Sequence, residues 1–277
     1  MLRDEDTQLT VDAARGGAIL EFSWRDRPVF RPTPRSAGTD PFAVACFPMV
    51  PYANRIAHGR FEFGARAVQL KRNWAKDPHP LHGQGWRSPW HVFAATTSSA
   101  LLVFEGGADE WPWHYLAEQH LQVSHGALSI RLSIENLAQS PMPAMLGLHP
   151  YFCDPDQAQL QASTPRVWLT DNASLPTDEV DTPLDWSFDG ARVITAVPLD
   201  HCFTQWNGAA VIRWPDLRVD IRATNCRDLH VYAPSGGDFF CVEPLSAAAG
   251  ALNRNEAAVV QPGERFEIQV SFAAGAV

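Results

Sequence analysis

Apolar and polar residues alternate with period two through almost all of this 277-residue chain, and no other feature constrains its fold as much. Leu128, Ile130, Leu132 and Ile134 alternate with Ser129, Arg131, Ser133 and Glu135; Phe266, Ile268, Val270 and Phe272 alternate with Glu267, Gln269 and Ser271. Residues two apart share one face of a strand, so each run predicts a half-buried strand with one wet side. Turn residues fall between such runs, at Ser124-His125-Gly126, Trp214-Pro215-Asp216-Leu217, Phe63-Gly64-Ala65-Arg66 and Thr97-Ser98-Ser99-Ala100, and predict hairpins there. The 22 prolines oppose long helices, since proline lacks the N–H and clashes with the preceding turn. Helical turns are expected only near residues 246–253 and 52–56, and residues 172–190, rich in Asp, Pro and Thr, read as a long surface loop. Many short antiparallel strands predict an all-β sandwich or barrel, here as a single domain over residues 1–277.

The formal net charge of -9 argues against nucleic acid as a partner. No apolar run approaches the roughly 20 residues of a membrane helix, so no membrane partner is expected. The opening residues Met1-Leu2-Arg3-Asp4-Glu5-Asp6 lack the apolar core of a signal peptide, and a cytoplasmic protein is expected. Cys46, Cys153, Cys202, Cys226 and Cys241 are odd in number and scattered, a pattern of buried reduced thiols and not of a disulfide frame or zinc site. The ten tryptophans suit apolar walls and sugar-stacking surfaces.

Four stretches carry chemistry. In Leu146-Gly147-Leu148-His149-Pro150-Tyr151-Phe152 an apolar strand reaches an imidazole and then a proline, a way to hold a proton donor at the mouth of a sheet; a core histidine is the other reading. In Phe239-Phe240-Cys241-Val242-Glu243-Pro244 an apolar strand closes on a carboxylate, whose partial desolvation makes it a base near neutral pH; a salt-bridged rim carboxylate is the alternative. Asn54 and Arg55 are polar groups in the apolar, proline-bracketed stretch 47–56, where the guanidinium fork suits sugar hydroxyls, a carboxylate ligand, or a structural Asp or Glu. In His79-Pro80-Leu81-His82-Gly83-Gln84-Gly85, Pro80 opposes a metal site on helical spacing, and no carboxylate cluster adjoins. His82 reads as a hydrogen-bonding group at a loop tip or a turn histidine, with Gly83 and Gly85 letting the backbone approach a ligand. Asp200, in Leu199-Asp200-His201-Cys202-Phe203, is either a hydroxyl acceptor or a turn residue.

Taken in order, Asn54-Arg55-Ile56, Leu81-His82-Gly83, Gly147-Leu148-His149-Pro150-Tyr151-Phe152 and Val242-Glu243-Pro244 resemble the motifs of the aldose 1-epimerases, or galactose mutarotases. The resemblance implies one large antiparallel β-sandwich, the galactose mutarotase-like super-sandwich, with an open sugar cleft. It implies Glu243 as base, His149 as acid, and Arg55, His82, Asp200 and Asn54 as sugar-binding residues, with a small sugar as partner and neither metal nor cofactor. Gln84 interrupts the family's glycine pair, Cys153-Asp154 replaces its usual Asn, and residues 245–250 are poorer in Pro, which leaves the sugar's identity open. A partly protonated imidazole and a carboxyl of raised pKa would share the proton transfers. The alternatives are a hexose-6-phosphate epimerase of the same fold, which would want more arginines, and a non-catalytic carbohydrate-binding sandwich, which would need neither Glu243 nor His149.

Overall fold

The computed structural model describes residues 1–108 and 110–277. The alternating runs form the strands expected of them. Strand Ala127–Asn136 lies between Tyr115–Ser124 and Arg265–Gly275, with Leu128 opposite Phe272, Ile130 opposite Val270 and Leu132 opposite Ile268. These apolar pairs are fully buried, each side chain contributing roughly 1.5–3 kcal/mol, whereas Ser129 and Ser271 face outward. All four expected turns join antiparallel strands.

Two large sheets build the sandwich, one of 11 strands and one of 9. The larger sheet holds, as spatial neighbours, Cys46–Met49, Gly147–Cys153, Phe239–Leu245, Asp228–Ala233 and Leu199–Thr204. Phe152 and Phe240 stack on the inner face of this sheet with ring centroids 5.4 Å apart, and Phe30 packs edge-on against both Phe152 and Phe272 of the opposite sheet. Arg265–Gly275 sits in the middle of the smaller sheet and Leu2–Asp4 at the edge of the larger, so both ends of the chain are woven into the sandwich. No helix of the described residues is long and apolar enough to cross a membrane.

Several local expectations are corrected. The helical turns expected near 246–253 are present as isolated turns, with the Ala251 N–H donating to the Ala248 carbonyl and the Arg254 N–H to the Gly250 carbonyl. The turn expected at 52–56 falls just beyond it, as a short 3-10 turn at Ala57–Gly59. The segment 172–190 is not a plain loop, because Pro176–Asp181 forms the edge strand of the larger sheet, where Pro176 at its start needs no ladder donor. Of the ten tryptophans, Trp86, Trp90, Trp111, Trp113, Trp206 and Trp214 are buried, so the indoles serve the core more than any sugar surface. All five cysteines are free thiols.

Candidate active site

The strands carrying His149 and Glu243 do not end at them but run through, to Cys153 and Leu245. They pair at Gly147–Leu245 and again at Tyr151–Cys241, and the ladder is broken between. Pro150 and Pro244 occupy that break and cannot donate to it. The register places His149 directly across from Glu243, and their Nε2 and Oε1 atoms lie 3.3 Å apart. On the far side of the histidine strand Phe47 opposes His149, and on the far side of the glutamate strand His230 opposes Glu243. Cys202 opposes His230 in turn. One row across five neighbouring strands therefore reads Phe47, His149, Glu243, His230, Cys202. Side chains two residues along each strand share its face, which adds Tyr151, Cys241, Tyr232 and Asp200 as a second row.

Loops close the site from above. His82 and Asn54 both adopt left-handed backbone, with φ of 56° and 58°, a conformation uncommon for non-glycine residues and one that concentrates at functional sites. They clasp each other: the His82 N–H donates to the Asn54 carbonyl and the Asn54 N–H donates to His82 Nδ1, both at 3.1 Å. The second bond leaves Nε2 as the protonated nitrogen of a neutral imidazole, and burial lowers the pKa of His82 well below the ordinary histidine value. Asn73 braces this loop from behind through the carbonyls of Leu81 and Gly83, at 2.7 and 3.0 Å. Arg55 is held by Asp77, with Nε donating to Oδ2 at 2.8 Å, so the structural ion pair is one of its roles. Gly83 and Gly85 approach the chain and not a ligand: a Cβ on Gly83 would lie 2.3 Å from the Val50 carbonyl oxygen, and one on Gly85 2.4 Å from Val50 Cγ1.

Asn54, Arg55, His82, His149, Asp200 and Glu243 all line one cavity of about 520 Å³. The sequence reading left out His230, Arg31, Phe42, Trp74, Tyr151 and Tyr232, which line it too. His230 had a legible signal, since Leu229-His230-Val231-Tyr232 repeats the His-x-Tyr spacing of His149 and Tyr151 on an alternating strand. The family departures at Gln84, Cys153-Asp154 and residues 245–250 are absent from the cavity wall. Gln84 instead joins Gly107 and the Tyr115 hydroxyl in the scaffold.

Burial dominates the electrostatics. It raises the Glu243 carboxyl from 4.5 to about 7, with His230 pulling the other way. His149 lies between the rings of Phe47 and Tyr151, at 4.5 and 4.7 Å, and its Nδ1 finds no partner among the described residues. Burial, reinforced by His230, pushes it down to about 3, so the partly protonated imidazole expected from sequence is not the state of the empty site. Burial also opposes the charge of Asp200, but its 2.9 Å contact with His230 Nε2 prevails and holds it at about 2. A metal ion could meet His149, Cys241 and Glu243, whose ligand atoms lie within 4.8 Å of one another, but burial holds the Cys241 thiol protonated.

The sequence profile of the family described as aldose 1-epimerase matches residues 3–273. The uncharacterized protein YphB of Escherichia coli K12 is 30% identical over 279 residues, covering 95% of this chain and 94% of the relative. A solved Escherichia coli K12 structure superposes with a TM-score of 0.93 at 27% identity, covering 100% of this chain and 98% of the other. A GalM/aldose epimerase homologue from C. elegans shares the fold with a TM-score of 0.85 at 14% identity, covering 100% and 98% of the two chains. With the match running over nearly its full length, the chain belongs to the aldose 1-epimerase family.

Proposed function

We propose that the chain is an isomerase that interconverts the α and β anomers of a neutral aldose by opening and reclosing the ring, working as one domain over residues 1–277. The buried His149–Glu243 contact of 3.3 Å at the cavity wall supports this reading most strongly. Anomerisation removes a proton from the C1 hydroxyl and delivers one to the ring oxygen, so an acid and a base must flank one carbon. Glu243 is the base and His149 the acid. With Glu243 charged and His149 neutral, Glu243 takes the C1 hydroxyl proton and passes it across their contact to His149, which gives it to the ring oxygen. Rotation about C1–C2 turns the aldehyde, and the reverse transfers close the ring on its other face. The His82 Nε2–H, the Asn54 amide, the Arg55 guanidinium and the Asp200 carboxylate hold the remaining hydroxyls, so the rest of the sugar stays fixed while C1 turns.

A neutral substrate is favoured because the arginines of the wall are engaged: Arg55 by Asp77 at 2.8 Å, and Arg31 by the carbonyls of Phe42 and Val44 at 3.2 and 3.1 Å. A phosphate site wants bidentate arginines turned to the ligand. Saturation transfer between anomeric protons in NMR tests this. Glucose or galactose is expected to exceed its 6-phosphate in kcat/KM by more than about tenfold, which is 1.4 kcal/mol of discrimination, and chelator should leave the rate unchanged. A preference for the phosphate would overturn the substrate class and leave the proton chemistry standing.

A further inference from the structure

We propose that His230 is a positioning residue of this site: a cation that Asp200 fixes beside Glu243 and that keeps the buried carboxylate charged for its work as base. The inference rests on the epimerase reading above and adds a residue that neither the motifs nor that reading requires. Three observations carry it. His230 stands directly across the ladder from Glu243, on the adjacent strand and the same face. Its Nε2 lies 2.9 Å from Asp200 Oδ1, which fixes the ring. It is buried yet lines the cavity, so its charge acts on Glu243 with little screening by water.

The groups around the two residues leave His230 as the main cation. Glu243 is faced by His149 and Tyr151 from one neighbouring strand, by His230 and Tyr232 from the other, and by Cys241 on its own. Beyond these stand Cys46, Asp200, Arg55 and Arg31, whose guanidinium lies 4.4 Å over the Tyr151 ring and is held by the Phe42 and Val44 carbonyls. His149 is neutral in the empty site, Asp200 is negative, and the Arg55 guanidinium is already paired with Asp77. His230 itself is faced by Asp200, Cys202 and Glu243, and by the more distant imidazoles of His82, His149 and His201. The Asn54 amide nitrogen lies 3.5 Å from Nδ1, at the long limit of a hydrogen bond, and as a donor it accepts nothing from a protonated Nδ1. Burial lowers the pKa of His230, but the two carboxyls outweigh it and hold the imidazole protonated well above the ordinary histidine range.

The test is a 13C titration of carboxyl-labelled glutamate in the full chain, with the Glu243 signal assigned by its loss in Glu243→Gln. His230→Gln keeps a hydrogen-bonding side chain and removes the charge. The Glu243 midpoint is expected to rise by about one unit or more, a change that leaves roughly a fifth as much of the charged base at pH 7. The acidic limb of kcat/KM should move up by the same amount. His230→Asn, a second neutral hydrogen-bonding replacement, should move both in the same direction and serves if His230→Gln does not fold. A folded variant of either kind with an unmoved midpoint overturns the proposal. A parent that binds sugars without equilibrating their anomers would instead overturn the epimerase reading, and the carboxyl midpoint would still decide the role of His230.

Discussion

Replacing Glu243 by Gln will lower kcat by about 10²–10⁴ and at the same time make the folded chain more stable at neutral pH. The amide keeps the shape of the carboxyl and cannot take the C1 hydroxyl proton. The gain in stability follows from the sign of the pKa shift. Burial raises the folded-state value from 4.5 to about 7, so the folded chain holds a proton that the unfolded chain has lost. The cost of the buried carboxyl is absent below about 4.5, grows as pH rises, and is complete above about 7. A shift of that size corresponds to about 3 kcal/mol, or several degrees in Tm for a chain of this length. The Tm gain of Glu243→Gln should therefore be largest near pH 8 and vanish toward pH 4.5. A structural salt bridge would give the opposite result, a loss of Tm with turnover of the folded fraction unchanged. His149→Asn should lose rate on a similar scale, and the double variant little more, because half of a proton-transfer pair has little to do alone.

Gly83→Ala is expected to damage fold and site together. Gly83 has φ of +73°, which disfavours any side chain, and its Cβ would also fall 2.3 Å from the Val50 carbonyl and 2.6 Å from Pro51 Cδ. Both neighbours are buried and fixed, so the His82 loop must shift. The expected destabilisation is about 3 kcal/mol or more, well above the cost of the backbone conformation by itself. Gly263→Ala is the control, with φ of +77° and nothing within 4 Å. Thermal unfolding of the two variants isolates the clash. If they fall equally, the close approach at Val50 carries no energy. KM should rise in any Gly83→Ala that folds, because His82 is displaced from the cavity.

Much of this architecture was legible from pattern, and the misses have physical causes. Strands such as Ala127–Asn136 and Arg265–Gly275 have one wet face, so period two shows both the element and its register. The site strands are buried on both faces, and their near-continuous apolar runs hide both register and ends. Hence His149 and Glu243 read as strand ends, when each sits within a strand opposite a break made by Pro150 and Pro244. The four motifs indicated which residues meet, but the order of the strands decides what stands between and beside them. His230 enters the row only because Asp228–Ala233 lies beside Phe239–Leu245, a non-local fact. Pro176–Asp181 was missed because three acidic residues and a proline in six positions defeat β-propensity, yet an edge strand tolerates them. The Arg55–Asp77 pair joins residues 22 apart through loops, where no periodicity reports contact.

Polarimetry of freshly dissolved α-anomers tests the central claim most directly, because the observable is the reaction itself. A panel of glucose, galactose, xylose and arabinose should include at least one sugar whose rotation relaxes faster with the parent chain than in buffer, with the acceleration lost in Glu243→Gln. Acceleration should decline as pH falls below about 7, as the base takes up its proton. Sugar binding without acceleration of any member, or equal acceleration by a folded Glu243→Gln, would contradict the account.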